Sequence, residues 1–278
     1  MIESRAVRVG SGRVVRAHDS GPAGGSGPVV MWHHGSPQTG ALLEPVLAAA
    51  AERGIRVLSY GRPGYGGSDR VAGRDVASAA GDSAAVADAF GVREFAVVGA
   101  SGGGPHALAC AALLPDRVPG AVCLAGIAPR DAGFDWFAGM VAPGGLRAAV
   151  EGTAARARFA ETEQFDPESF IPADHELLAG PWSALGADAQ RAGAAGPDGL
   201  VDDDVAFAHP WGFDLTAITA PVLLVQGGRD RVVPPAHADH LAGLLPRATA
   251  WSQPDDGHVS VLREYPAALD WLLAATSG

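Results

Sequence analysis

An α/β architecture with a mostly parallel sheet follows from two features of this chain. Short apolar runs alternate with longer Ala- and Leu-rich segments, the strand-helix-strand order that builds a parallel sheet. One of those runs, Phe95-Ala96-Val97-Val98, leads straight into Gly99-Ala100-Ser101-Gly102-Gly103. Residues that short let a strand turn sharply into a helix and lift a serine hydroxyl clear of the sheet.

Taken in order, Ala6 to Asp19 alternates valine with polar residues around Gly10-Ser11-Gly12, the pattern of an antiparallel hairpin, and Gly21 to Gly27 is a loose turn. Pro28 to His33 is a buried strand, Leu42 to Arg53 a helix and Ile55 to Tyr60 the next strand, a βαβ beginning. A helix from Arg74 to Phe90, closed by Gly91, precedes the strand before Ser101. After it come a helix from Gly104 to Leu114 and a strand from Gly120 to Ala125. From Arg130 to Asp214 the alternation stops, giving way to short Ala-rich helical pieces, acidic residues, scattered aromatics and Gly/Pro breaks, so 130–214 reads as a helical insertion. The pattern resumes with strands at Pro221 to Gln226 and Ala248 to Trp251 and helices at Pro235 to Leu245 and Val259 to Ala275. This makes eight strands, with 1–129 and 215–278 forming the core.

Composition narrows the function. At 278 residues the chain can bury a large core without staples, so Cys110 and Cys123 read as free core thiols. The start Met1-Ile2-Glu3-Ser4-Arg5 has no apolar stretch behind it and no run is long enough to span a membrane, which predicts a soluble, cytoplasmic protein. A net charge of -11 repels nucleic acid, leaving a small molecule as the expected partner; oligomeric state is not readable. Every basic side chain is arginine, and the absence of lysine removes Schiff-base chemistry. No ligand spacing for a metal is present and no cofactor is expected.

Ser101 is the candidate nucleophile. A serine needs a base, and the base needs an acid to orient it. His258, in Asp255-Asp256-Gly257-His258, lies between the last strand and the last helix, where a loop at the carboxyl end of the sheet can reach Ser101. Asp230, in Gly227-Gly228-Arg229-Asp230, follows the preceding strand and is the favoured orienter. Asp131, after the strand at 120–125, competes for that place; Asp255 and Asp256 read as solvated carboxylates. For an oxyanion, the backbone N–H of Ser36 in His34-Gly35-Ser36-Pro37 and that of Gly102 are the candidate donors.

The ordered set His34-Gly35-Ser36-Pro37, Gly61-Arg62-Pro63-Gly64-Tyr65-Gly66-Gly67-Ser68-Asp69, the Ser101 elbow, Asp230 and His258 resembles the α/β-hydrolase family over nearly the whole chain. The resemblance implies a helical cap from Arg130 to Asp214 over Ser101, with Trp136, Phe137, Met140, Trp182, Phe207 and Trp211 as pocket lining. Serine at 101 departs from the aspartate of epoxide hydrolases and haloalkane dehalogenases, and the tyrosines, Tyr60, Tyr65 and Tyr265, all lie outside the insertion. Hydroxynitrile lyases of this fold rely on a lysine. The expected activity is hydrolysis of a small carboxylic ester or lactone through an acyl-enzyme. Alternatives are a proline iminopeptidase-like activity, with Glu161, Glu163, Asp166, Glu176 and Asp202-Asp203-Asp204 holding a substrate ammonium, carbon-carbon bond hydrolysis, cofactor-free perhydrolysis, and a ligand-binding receptor. For the acidic residues a solvated face is the blander expectation.

Overall fold

The computed structural model describes residues 2–21, 27–131 and 133–277; most of the turn expected at Gly21 to Gly27 lies outside them. An antiparallel pair, β1 (Glu3–Arg8) and β2 (Val14–Asp19), opens the chain. Strands β3 (Val29–His33), β4 (Arg56–Tyr60), β5 (Ala96–Ala100), β6 (Ala121–Leu124), β7 (Val222–Gly227) and β8 (Ala248–Gln253) follow. Together they form one eight-stranded sheet in the order β1-β2-β4-β3-β5-β6-β7-β8, parallel from β4 onward, with β2 antiparallel to both its neighbours.

The interior strands are apolar on both faces because helices cover both. On one side α1 (Glu44–Ala51) and α10 (Tyr265–Thr276) bring Val46, Ala50, Leu269 and Leu272 onto Val57, Val98 and Val225. On the other, α2 (Ser78–Ala89), α3 (Gly103–Leu113) and α9 (Ala236–Leu244) bring Val86, Leu108 and Leu241 onto Leu58, Val97 and Leu224. Consecutive strand residues such as Val97 and Val98 thus serve opposite cores, each contributing about 1.5–3 kcal/mol of burial.

Between β6 and β7 the chain is helical: α4 (Gly144–Val150), α5 (Thr153–Ala160), α6 (Pro172–Ala179), α7 (Ser183–Ala194) and α8 (Asp198–Ala208). Two expected helices begin at least four residues later than their patterns. The one from Arg74 begins at Ser78, and Arg74 is instead buried against Asp203. The one from Val259 is a 3-10 segment, Ser260–Glu264, before α10. Pro266 explains the break: it has no N–H to donate back along a helix and is tolerated only in the first turn, where it sits.

Strand order reverses at β3, which lies between β4 and β5. Loops leaving β3 and β5 therefore diverge at the carboxyl edge of the sheet, the place where a crevice opens in such sheets. In register His33 is level with Gly99, so the His34–Ser36 turn and the Ser101 turn emerge side by side.

Cys110 and Cys123 are both buried, and burial pushes each thiol up to about 12. Native protein should therefore not react with Ellman's reagent at neutral pH, and both thiols should titrate once it is unfolded. Rapid reaction of the native form would contradict this burial.

Candidate active site

Ser101 sits at the β5-to-α3 turn with φ 53, a left-handed conformation unusual for a residue with a side chain and costing about 1–3 kcal/mol. The turn is held by its own backbone: Ser101 N–H donates to Leu124 O at 2.8 Å and Gly104 N–H to Ser101 O at 2.9 Å. It also lies hard against the neighbouring loop, since a Cβ on Gly103 would overlap the His33 carbonyl oxygen. Glycine is required there by contact.

His258 approaches from the loop between β8 and α10, with Nε2 2.9 Å from Ser101 Oγ and Nδ1 2.8 Å from Asp230 Oδ2. Asp230 is completely buried, and its oxygens also accept from Val232 N and Val233 N at 2.8 Å and from Gln226 Nε2 at 3.1 Å. With Asp230 accepting at Nδ1, the ring proton is placed there and Nε2 is left to accept from the serine hydroxyl. Burial lowers the pKa of His258, but the charge of Asp230 and its hydrogen bond, with the charge of Asp174 behind them, raise it above the ordinary histidine value. Asp131 lies elsewhere, paired with His240 at 2.9 Å.

Gly35 lies next to the elbow: a Cβ there would stand 3.5 Å from Ser101 Cβ. A Cβ on Gly102 would stand 2.5 Å from Ser36 Oγ and 3.0 Å from Phe207 Cζ. Ser36 and Gly102 therefore adjoin, and among the described residues neither backbone N–H has an acceptor. Two free amides beside a serine can stabilise an oxyanion on a carbonyl attacked by that serine.

Of the expected lining residues, Phe207 is placed at the elbow, and the other five have packing contacts of their own. Trp136 packs on Phe137 and His237 and donates to Ala128 O at 2.7 Å; Phe137 lies under the Arg147 guanidinium. Met140 packs against the core cluster that holds Trp136. Trp182 meets Tyr265 edge-on on the opposite face of the sheet, and Trp211 donates to Phe207 O at 3.3 Å and packs on Phe213.

The acidic run is a correction. Asp202, Asp203 and Asp204 do not form a solvated face; all three are buried and paired with arginine. Asp202 takes Arg70 at 2.8 Å, Asp204 takes Arg156 at 2.6 Å, and Asp203 takes both Arg62 and Arg74. Glu163 also pairs with Arg156, at 2.7 Å. Two other aspartates of the helical segment carry no local signal in the sequence. Asp174 accepts from Val259 N at 2.9 Å, Ser260 N at 2.6 Å and Ser260 Oγ at 2.8 Å, fixing the loop of His258. Asp188 accepts from Thr39 N at 2.9 Å and Thr39 Oγ1 at 2.6 Å, just past Ser36.

A family model for the alpha/beta hydrolase fold matches residues 28–265. The chain belongs to that family. Among its relatives in the family are a non-heme haloperoxidase of Rhodococcus erythropolis, 30% identical over 80% of this chain and 81% of the relative, and a non-heme chloroperoxidase of Streptomyces lividans, 31% identical over 91% of each. The fold is shared with an esterase from Thermogutta terrifontis, TM-score 0.73 at 21% identity over 99% of this chain and 100% of the other. It is shared equally with an enol-lactonase from Burkholderia xenovorans, TM-score 0.72 at 20% identity over 99% and 100%. No helix among the described residues is long and apolar enough to cross a membrane.

Gly103→Ala should lower stability by about 3 kcal/mol, because the added methyl must displace the backbone of β3. In a thermal melt this corresponds to a fall of roughly 6–12 °C. A melting temperature within about 1 °C of wild type would contradict the close approach of the two turns.

Proposed function

We propose that the protein is a serine hydrolase that cleaves a small carboxylic ester or lactone through an acyl-enzyme. The observation that carries this reading is the continuous Asp230–His258–Ser101 hydrogen-bond chain, 2.8 Å and 2.9 Å, ending on a serine held in an elbow. Ser101 Oγ attacks the carbonyl carbon while its proton passes to His258 Nε2, and the oxyanion is received by the amides of Ser36 and Gly102. Collapse of the tetrahedral species expels the alcohol oxygen, which takes the proton from His258 and leaves the acyl group on Ser101. Water then attacks the acyl-enzyme, His258 accepts its proton and returns it to Ser101 Oγ, and the acid departs.

In this reading the helices of 130–214 form a cap over the site, and Phe207, against Gly102, lines the acyl pocket. The neighbouring acids do not favour an iminopeptidase: Asp202, Asp203 and Asp204 are occupied by arginines and have no carboxylate to spare for a substrate ammonium. Both named relatives support a second outlet for the same intermediate. Hydrogen peroxide attacking the acyl-enzyme in place of water would release a peracid and restore Ser101.

The protein should hydrolyse p-nitrophenyl esters of short chain and leave an aminoacyl-prolyl anilide intact. An organophosphonate should label Ser101 stoichiometrically, with labelling abolished in Ser101→Ala and strongly slowed in His258→Ala. A folded protein that neither turns over esters of any chain length nor takes the label would be a binding member of the fold. Peracid formation with peroxide present, read by iodide oxidation, tests the second outlet; a rate no greater than without enzyme excludes it.

Neutral His258 is the working base, so its raised pKa moves the acid limb of kcat/KM upward, to an inflection above that of an ordinary histidine. Asp174→Asn removes one of the charges that raise it and should move that inflection to lower pH. An unchanged inflection in Asp174→Asn would contradict the electrostatic link.

A further inference from the structure

We propose that Asp203, carried on α8, is a positioning residue for the candidate oxyanion hole and acts through Arg62. The proposal rests on the reading of Ser36 N–H as an oxyanion donor. The side chains of Asp203 and Arg62 are 0% and 1% exposed, and they meet twice: Arg62 NH2 to Asp203 Oδ2 at 2.7 Å and Arg62 Nε to Asp203 Oδ1 at 3.3 Å. This two-point grip fixes the plane of the guanidinium. The remaining donors of Arg62 go to the loop after β3: NH1 to His34 O, NH2 to Gly35 O at 3.2 Å and to Ser36 Oγ at 2.9 Å.

The bond to Gly35 O matters most. That carbonyl and the N–H of Ser36 belong to one trans peptide, in which C=O and N–H point in opposite directions. Drawing the oxygen toward Arg62 turns the N–H away from it, toward the elbow, and the positive charge on the oxygen strengthens the N–H dipole. His34 Nδ1, 2.7 Å from the same oxygen, reinforces that orientation, and Gln38 Oε1 accepts from Gly35 N at 2.7 Å to close the turn.

Asp203 also acts directly on the loop. Ser36 Oγ donates to its Oδ2, as does Tyr65 OH at 3.0 Å, while Arg74 NH2 donates to Oδ1. The serine hydroxyl is therefore engaged with the aspartate, and Ser36 presents its amide. A residue of the helical segment thus sets the geometry of the loop after β3, and it does so without touching substrate.

The test compares Asp203→Asn with Asp202→Asn, using p-nitrophenyl butyrate as substrate and a trifluoromethyl ketone as an analogue of the tetrahedral oxyanion. Asp202 is a neighbouring carboxylate on the same helix, its side chain 1% exposed and paired with the exposed Arg70, and it is the control for neutralising a buried carboxylate. Asp203→Asn should lower kcat by about 10- to 100-fold with KM within about twofold, since a misplaced donor costs the transition state and not ground-state binding. Affinity for the trifluoromethyl ketone should fall by the same factor, and the inflection of His258 in the kcat/KM profile should not move. Asp202→Asn should lose thermal stability and keep kcat.

Where Asp203→Asn does not accumulate folded, Arg62→Lys serves instead. It keeps a cation beside Asp203 but cannot reach His34 O, Gly35 O and Asp203 together, and the same selective loss in kcat and ketone affinity is expected. The proposal is overturned if kcat stays within twofold in these variants, if the loss falls on KM alone, or if Asp202→Asn loses kcat equally. A wild type that neither hydrolyses the ester nor accepts a phosphonate on Ser101 overturns the underlying reading along with it. An active, labelled wild type beside fully active variants overturns the positioning role alone.

Discussion

A carboxylate withdrawn from water must be met by cations or by several hydrogen-bond donors, and that constraint ties the helical segment of this protein to the loops around Ser101. Asp174, Asp188 and Asp203 are all buried on helices between β6 and β7, and each finds its donors on a core loop. Asp174 meets the loop of His258, Asp188 meets Thr39, and Asp203 meets Ser36 and Arg62. Each link is asymmetric in energy. Burying the charge costs several kcal/mol before its partners offset it, and removing the partner of a buried ion costs about 3–5 kcal/mol. The helices are thereby held in one position over the sheet, because any other would leave a carboxylate or an arginine unanswered.

The sheet supplies a second constraint of a different kind, steric and not electrostatic. Ser101 is held in a conformation its side chain disfavours, and the cost is small beside the packing around it: Val97, Val98, Leu108 and Leu124 are fully buried on the adjoining elements. Strand order places the β3 and β5 loops together at the edge where they diverge, and the tight contact between Gly103 and the His33 carbonyl sets their separation. Sheet topology thus brings the His34–Ser36 turn to Ser101, and the buried charges then fix how that turn is oriented.

The parts legible in the sequence are those whose signal is local. Strand runs, the hairpin around Gly10–Gly12 and the strand-to-helix turn at Ser101 announce themselves within a few residues, by periodicity and by small side chains. Asp230 and Asp131 both follow strands of the same sheet, and only the placement of the loops separates them, one beside His258 and the other beside His240. The run Asp202-Asp203-Asp204 looks like a solvated face because its partners are distant in sequence: Arg62, Arg70 and Arg74 lie more than a hundred residues earlier, and Arg156 lies 48 residues before Asp204. Nothing local distinguishes a buried carboxylate from an exposed one. The break before Tyr265 did carry a local sign, Pro266, which marks a first helical turn and not a helix interior.

An apolar contact could hold the loop after β3 in place, and replacing a buried ion pair by well-packed apolar side chains often stabilises a protein. What such a contact would lack is charge. Arg62 and Arg74 share a single carboxylate, Asp203, so the cluster of three carries one net positive charge against the carbonyls of His34 and Gly35. The nearby imidazoles add nothing to it: burial, together with the charge of Arg62, keeps the pKa of both His34 and His106 well below the ordinary histidine value. Arg62 and Arg74 outweigh burial in turn to hold Asp203 well below the usual carboxylate range, so Asp203 keeps its charge across the neutral range. In the proposed mechanism a fixed positive charge behind the Gly35–Ser36 peptide favours negative charge on its far side, and it needs no rearrangement when the oxyanion develops. The same ions that lock the helices to the core therefore also bias the space beside Ser101 toward an anion.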